Sequence, residues 1–554
     1  MTLDWLMSPG LILIGGAVFA GYLKTSSRVV LLLLPLLCLA VVWLGKDYVS
    51  ATLMSYQLVV VQKSDLGLLF ATTFSVIAFG GLWFAFKQAA RTELSGALLY
   101  AGSAISLVLC GDFITFFIFW ELMAIGSTMI LFSSPMAASF NATMRYALIH
   151  LLSGMILLAG IIGLIWQSGD ASLRALELSS VYEWMILAGF LINAGAPPLS
   201  AWVADAYPEG SVSGSVFLSA FTTKSAVFAL LVVFAGNAIL IPIGIYMMFY
   251  GIIYALSEND MRRILAYSIV NQVGFMITGV GIGSEMAING VAAHASAHII
   301  YKGLLLMSVG GVLYATNQRK CSELGGLNRV MRLTMICSVI GAISISAVPL
   351  TSGFVAKSLI SEAAQQAEMI WVWGALLAAS AGVFLHAGIP WFVFFQNKPQ
   401  RRQVLEVPSN MKAAMVFLSI LCIAMGVFPQ QFYQLLPYPV DYQPYTLAHL
   451  LSQSQFLVFA MIAFFLMLPL LKRTPTITLD TDWLYRRLPI CLQHYLKPTY
   501  LRIEKIGCRI YAHGLAIAKS RQPHINTIGR DISTTTLIIV LGITLSILLA
   551  IYYL

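Results

Sequence analysis

The chain has 554 residues, of which 59% are hydrophobic and only 10% are charged, whereas soluble domains are about 25% charged. The mean hydropathy of +0.85 excludes an ordinary soluble protein, because a single core cannot bury so much apolar surface. The net charge of +9 is better explained by basic cytoplasmic loops of a membrane protein than by an anionic partner, so no nucleic acid is implied.

Apolar runs of about 20 residues recur from end to end, and each is long enough to cross a bilayer. The backbone polar groups must be satisfied within each run, so the spans are helical, and the short alternating segments of a β-barrel are not seen. The sequence therefore predicts an all-α, polytopic membrane protein with about sixteen transmembrane helices. Their predicted centres lie near residues 17, 38, 75, 101, 122, 156, 191, 223, 246, 272, 300, 340, 382, 420, 464 and 544.

Two of the predicted spans contain proline beside small polar residues. Pro198 follows Asn193, and Pro349 lies between Ser344 and Gly353. Proline breaks or kinks a helix, and a broken helix in a membrane usually lines a protein-enclosed, hydrated site. Since the two prolines occupy blocks of similar size, they predict two repeats with a transport path near mid-membrane. A simple packing kink is the alternative.

The basic loops support this arrangement, because they all fall on one side of the membrane if the spans are correct. The positive-inside rule then places these loops in the cytoplasm and both termini outside. The predicted organisation is N-terminal helices (1–92), a first repeat (93–235), a second repeat (236–400), additional helices (401–473), a basic amphipathic cytoplasmic segment (474–533) and a C-terminal helix (534–554).

Ionisable residues within the spans are candidates for function, because burying a charge there costs about 2.5–3.5 kcal/mol even on insertion scales. Glu121 has no neutralising neighbour in its Phe-Trp-Glu-Leu-Met segment, and we expect it to exchange protons. Lys224 has the same potential, unless it extends to the membrane interface. Lys357 follows the second proline site, where it can reach a central cavity. His150 is as consistent with a core histidine as with a functional one.

His294, His298 and Lys302 follow one another at intervals of four residues, which places them on one face of a helix. A proton relay through the imidazoles to the lysine is the favoured interpretation. A structural polar face is the first alternative. A zinc site is the second, although no further ligand accompanies the histidines in that segment.

The sequence has no Walker motif, no Rossmann glycine fingerprint and no cysteine cluster for an iron–sulfur centre. Its seven cysteines are scattered. We therefore expect no cofactor and no bound metal, and no redox or hydrolytic site of its own. The energy for transport would come from an ion gradient or from a partner.

Together, several segments resemble the antiporter-like family shared by the Mrp-type cation/proton antiporters, especially their D-type subunits, and the proton-pumping membrane subunits of complex I and membrane-bound hydrogenases. The resemblance covers roughly residues 65–400. Its segments are 119–123, 198–209, 222–224, 260–268 with Gln272 and Gly274, 298–306 and 349–357. Residues 479–486, Leu-Asp-Thr-Asp-Trp-Leu-Tyr-Arg, are similar to the tails of Mrp-D-like members.

The resemblance implies two inverted five-helix repeats and a charged axis across the membrane plane. The matching positions are Glu121 for the buried glutamate, Lys224 for the bridging lysine, His294, His298 and Lys302 for the relay, and Lys357 for the charge on the second broken helix. One position departs from the family pattern, since Asn193 stands where the lysine that pairs with the glutamate is expected. Either Lys224 or His150 supplies the counter-charge, or the first repeat conducts poorly.

The resulting hypothesis is a proton-translocating subunit of a multi-subunit Na⁺/K⁺:proton antiporter in a bacterial inner membrane, with other membrane subunits as partners. One alternative is a pumping subunit of an NADH:quinone oxidoreductase-like or hydrogenase complex. Another is an energising subunit for inorganic-carbon uptake, and the last is a structural scaffold.

Overall fold

The computed structural model describes residues 8–53, 56–396, 404, 406–471, 479–483 and 485–487. Residues 1–482 form one compact unit, and four described residues belong to a second unit, 483–554. The helices are α1 (Leu11–Ala20), α2 (Leu33–Leu44), α3 (Asp65–Ala85), α4 (Arg91–Val108), α5 (Phe113–Phe132), α6 (Ser139–Ser168), α7 (Val181–Ala194), α8 (Trp202–Ala206), α9 (Gly214–Ala220), α10 (Thr222–Val233), α11 (Leu240–Ser257), α12 (Met261–Ile282), α13 (Glu285–Thr316), α14 (Arg332–Ile345), α15 (Ser352–Gln366), α16 (Ile370–Ala387), α17 (Ser409–Val427), α18 (Pro429–Tyr433) and α19 (Leu447–Met467).

The described part of the chain contains ten helical segments that are long and apolar enough to cross a membrane, together with four shorter apolar helices. The protein is therefore an α-helical, multi-pass membrane protein. The first fifteen predicted span centres each fall within a helix. The sixteenth centre, the C-terminal helix 534–554 and most of the basic segment 474–533 lie outside the described residues.

A β-hairpin, which was not predicted from the sequence, lies between α2 and α3. Strand β1 (Tyr48–Leu53) pairs antiparallel with β2 (Tyr56–Gln62). The Asp112 carboxylate accepts hydrogen bonds from Val59 N at 2.7 Å and from Ile114 N and Thr115 N at 2.9 and 2.8 Å. One side chain therefore caps the N-terminus of α5 and connects it to the hairpin.

The centre of the molecule is formed by α9, α10, α12 and α13. The most apolar stretch of α12 is 100% buried, whereas that of α19 is only 11% buried. Small residues allow the close approach of neighbouring helices. At Gly251 of α11, an added Cβ would lie 2.6 Å from the backbone of Tyr267 and Asn271 in α12. Because the central helices are almost completely buried inside the protein, their buried polar side chains face protein rather than lipid.

Helices are interrupted at both predicted proline sites and at a third place. After α7, Gly195 has a left-handed backbone with φ of 80°, and α8 begins only at Trp202. Between α14 and α15, Ala347 and Leu350 have positive φ values of 57° and 69°. The third interruption separates α9 from α10 at Phe221 without a proline. At all three interruptions, some backbone carbonyls lack the hydrogen bonds that a continuous helix would provide.

The cap at Asp112 leads to a stability prediction. Asp112→Ala removes hydrogen bonds to both α5 and β2, and we expect it to destabilise the protein by about 1–3 kcal/mol. Thermal unfolding of the detergent-solubilised protein measures the effect. Asp47→Ala is the control, because that side chain is 89% exposed and surface ion pairs contribute little. Equal melting temperatures for the two variants would contradict the role assigned to Asp112.

Candidate functional site

Five of the six predicted site residues lie in the buried centre of the molecule. Lys224, His294, His298 and Lys302 are fully buried, and Lys357 is 4% exposed. Among the described residues, none of the three lysines forms an ion pair with an acidic side chain. These lysines are instead held by neutral oxygen atoms.

The Lys224 ammonium is held at the interruption between α9 and α10. Its Nζ donates to the carbonyl of Ser219 at 2.7 Å and to Thr223 Oγ1 at 3.0 Å. The carbonyl of Ser219 lies at the end of α9, where the helix break leaves it available. Lys224 therefore stays in the protein interior, and extension to the interface is ruled out.

Lys302 of α13 contacts α12. Its Nζ donates to Ser268 Oγ at 2.8 Å and approaches the carbonyl oxygen of Leu265 at 3.4 Å. The charges of Lys302 and Lys224 interact electrostatically, since both lysines are buried in the same region. The helices α9–α10, α12 and α13 thus bring two of the predicted lysines together.

His294 belongs to a three-membered polar cluster. Its Nε2 lies 3.1 Å from both Gln272 Oε1 and Tyr301 Oη, and Tyr301 donates to Gln272 at 3.2 Å. The Nδ1 atom of His294 and both ring nitrogens of His298 are buried without a hydrogen-bond partner among the described residues. The two rings lie 6.3 Å apart between centroids. Buried ring nitrogens normally have a protein or ordered-water partner.

Lys357 lies in the second turn of α15, and its Nζ donates to the carbonyl of Ile345 at the end of α14 at 2.7 Å. The ring of Phe275 lies between Lys357 and the histidines. The centroid of that ring is 5.6 Å from Lys357 Nζ and 5.3 Å from the centroid of the His294 ring. On its other side, Lys357 lines a cavity of about 90 Å³ with polar groups of α15 and α19 that include Ser358, Glu362, His449 and Gln453. The cavity has room for several water molecules.

Glu121 lies apart from this group, on α5 against α6. Its side chain is partly exposed, and Oε1 has no hydrogen-bond partner among the described residues. The carboxylate sits so close to Gly154 of α6 that a Cβ added there would clash with Oε1. Neither Lys224 nor any other cation in the described part of the chain forms an ion pair with Glu121.

Asn193 of α7 contacts α6, the helix that contains His150. Asn193 Nδ2 donates to Ser153 Oγ at 3.0 Å, one residue before Gly154, and Asn193 Oδ1 has no partner in the described structure. His150 packs against Tyr146 and Trp202 at ring distances of 4.0 and 4.8 Å. The asparagine therefore bonds to α6 and does not contact the glutamate.

Several residues that contact the predicted site residues were not predicted individually, namely Ser268, Tyr301 and the cavity residues of α19. Their side chains come from other helices or other faces, so spacing along one helix does not reveal them. The described residues include no cluster of three or more His, Cys, Asp or Glu side chains that is able to hold a metal ion. His294 and His298 are instead surrounded by Gln272, Tyr301 and the lysines.

Charged residues also gather at the face where α12 begins and α13 ends. Arg319 pairs with Asp260 and, at 3.0 Å, with Glu209. Burial raises the pKa of the Asp260 carboxyl, although the Arg319 guanidinium acts in the opposite direction. Beside this cluster, Tyr250 and Tyr267 donate to Asp480 at 2.5 and 2.7 Å. The segment that is similar to Mrp-D-like tails is thereby bonded to α11 and α12.

Two protein relatives resemble this chain at the level of sequence. Hydrogenase-4 component B of Escherichia coli K12 is 25% identical over 59% of this chain and 55% of its own length. The D-type subunit of the Na⁺/H⁺ antiporter of Alkalihalophilus pseudofirmus OF4 is 27% identical over 45% of this chain and 54% of its own length. The chain thus spans only about half the length of each of these relatives.

Two solved structures have the same fold. A chain of the Mrp complex from Dietzia sp. DQ12-45-1b aligns with 78% of this chain at a TM-score of 0.71 and 20% identity. A chain of the membrane-bound sulfane sulfur reductase, an archaeal respiratory membrane complex, aligns with 99% at a TM-score of 0.73 and 20% identity. Residues 110–385, about half of the chain, match the family described as "NADH:quinone oxidoreductase/Mrp antiporter, TM". The chain, with its buried lysines and histidines, is a member of that family.

Proposed function

We propose that this protein is the proton-translocating subunit of a multi-subunit monovalent cation:proton antiporter. The observation that carries the proposal is the set of three buried lysines without an acidic partner, aligned with two histidines in the centre of the molecule. A lysine held in an apolar interior by neutral oxygen atoms can gain and lose its proton, which suits it to proton transfer.

The proposed path runs from Lys224 and Lys302 through His298 and His294 to Lys357 and then into the adjacent cavity. The contacts among Gln272, Tyr301 and His294 support a continuous hydrogen-bonded route. The unpartnered nitrogens of His298 support hydration of the gap. Glu121 is the proposed outer member at the other end of the axis. The Phe275 ring lies between the histidines and Lys357, so proton transfer past this ring would require water molecules beside it.

The repeat arrangement belongs to the same proposal. We assign two inverted five-helix repeats to residues 93–235 and 236–400, with helix breaks after α7 and after α14 at corresponding places. We assign about sixteen spans to the whole chain, and we place it in a bacterial inner membrane with its basic loops inside. The named relative is a subunit of a Na⁺/H⁺ antiporter, which supports Na⁺ as an exchanged cation and other subunits as partners. We include K⁺ as the alternative cation.

A second candidate function is a proton-pumping subunit of a respiratory or hydrogenase complex. The alignment of almost the entire chain with a chain of the sulfane sulfur reductase favours it, as does the similarity to hydrogenase-4 component B. In that assembly, electron transfer takes place in partner subunits. Flavin, nickel or iron–sulfur proteins that co-purify with this chain would favour this function over antiport.

The lysines provide the direct test of proton transfer. We expect Lys302→Ala and Lys357→Ala each to lower ΔpH-driven cation exchange in vesicles by at least about 100-fold, because each removes a titrating group from the path. Lys320→Ala is the matched control, since that side chain is 51% exposed. Unchanged exchange in both buried-lysine variants, at equal protein levels, would refute the path.

Asn193 provides a second test, directed at the first repeat. Because Asn193 and Glu121 reach α6 at adjacent residues, Asn193→Lys is expected to bring a cation to the unpaired carboxylate. Glu121→Gln should then lower exchange several-fold more in the Asn193→Lys background than in the native chain. A double-mutant cycle on exchange rates measures this coupling. Strictly additive effects would show that Asn193 is not the reason for the unpaired glutamate.

A further inference from the structure

A buried carboxyl group lies at the face that carries the basic loops, outside the path described so far. Glu93, in the first turn of α4, is only 2% exposed. The hydroxyl of Ser213, just before α9, donates to its Oε1 atom. The charge of Glu93 interacts with that of Arg262, but the two side chains form no direct ion pair among the described residues.

Arg262 is 1% exposed and only partly satisfied. Its Nη2 donates to the carbonyl of Ser211 at 2.8 Å. Its Nε and Nη1 atoms are buried without a partner in the described part of the chain. Buried N–H groups of a charged side chain require acceptors. Among the described residues, no protein group accepts hydrogen bonds from these two atoms, and the Glu93 carboxylate is too far away for an ion pair. We therefore infer that ordered water lies between the side chains of Glu93 and Arg262.

This pair lies between the protein surface and the lysine path. Arg262 is three residues before Leu265, whose carbonyl faces Lys302 Nζ, and the two residues are therefore about 4.5 Å apart along α12. In the other direction, Arg262 interacts electrostatically with Asp260, Glu209 and Arg319. The side chains of those three residues are 11–26% exposed, so they reach the aqueous face.

We propose that Glu93 is a further proton-transfer residue, through which protons pass between the basic-loop face and Lys302. This proposal rests on the proposed function of the lysine path. The Glu93 carboxylate takes a proton from water at that face and becomes a neutral carboxylic acid. It releases the proton through the water held by Arg262 to the neutral Lys302 amine, which becomes an ammonium while the carboxylate is restored.

Arg262 keeps its charge throughout, because a guanidinium is not deprotonated in proteins. Its role is to hold and orient water and to stabilise the carboxylate. A purely structural pair would place the guanidinium in direct contact with the carboxylate, as Arg319 does with Asp260 and Glu209. The separation between Glu93 and Arg262, together with the two unpartnered N–H groups, instead favours a site for transfer through water.

The test uses the whole complex reconstituted in vesicles, with the pH varied separately on each face. Glu93→Gln is nearly isosteric and cannot titrate. We expect it to lower proton flux by at least about tenfold and to alter the pH dependence only on the basic-loop face. Glu93→Asp should restore part of the flux. Glu323→Gln is the matched control, since that exposed glutamate lies on the same face and its side chain is 49% exposed.

The cavity beside Lys357 supplies the complementary comparison. Glu362→Gln, in the cavity beside Lys357, should alter the pH dependence only on the opposite face. Normal flux and an unchanged pH profile in Glu93→Gln, while Lys302→Ala abolishes flux, would overturn the role of Glu93 alone. Normal flux in Lys302→Ala would overturn the proposed function itself. If Glu93→Gln does not assemble, Glu93→Asp takes its place, since its shorter side chain should lower the flux in part, and native flux with an unchanged pH profile in that variant would overturn the proposal.

Discussion

The constraint on which the whole site depends is the burial of three lysines with no acidic partner among the described residues. An uncompensated charge in a protein interior costs several kcal/mol, so each amine needs oxygen atoms at short range. The chain provides them where helices stop. Ser219 lies one residue before the end of α9 and Ile345 ends α14, and their carbonyls accept hydrogen bonds from Lys224 and Lys357. The hydroxyl of Ser268 accepts the corresponding hydrogen bond from Lys302. Helix breaks and buried amines are therefore parts of one arrangement.

The two halves of the site differ in how completely they are connected. Around α12 and α13, Gln272, Tyr301 and His294 are hydrogen-bonded to one another, and the unpartnered nitrogens of His298 face the remaining gap toward Lys302. Around α5, α6 and α7, the glutamate and the asparagine meet the same helix at adjacent residues without meeting each other. A carboxylate without a cation is not held in one protonation state by a partner. In the proposed mechanism this difference between the halves arises from Asn193, because the resemblance to the family implies a lysine at that position.

Much of the fold follows from local sequence. A helical span needs about 20 apolar residues, and such runs placed a centre in fifteen of the nineteen described helices, with none in α8, α9, α15 or α18. Proline marked the breaks after α7 and α14, but the break at Phe221 has no proline to mark it. The hairpin at 48–62 was missed, because it is held by Asp112, about 50 residues later in the chain. Spacing along α13 identified the histidines and Lys302, whereas Ser268 and Tyr301 became evident as their partners only after the helices were assembled.

In the proposed mechanism, water joins the buried lysines and histidines into one path. A cryo-electron microscopy map of the intact complex, at a resolution that reveals ordered water, tests this directly. We expect water density at both ring nitrogens of His298 and in the cavity beside Lys357. A dry site, with apolar side chains filling the space around His298 and no density between His298 and Lys302, would rule out such a path.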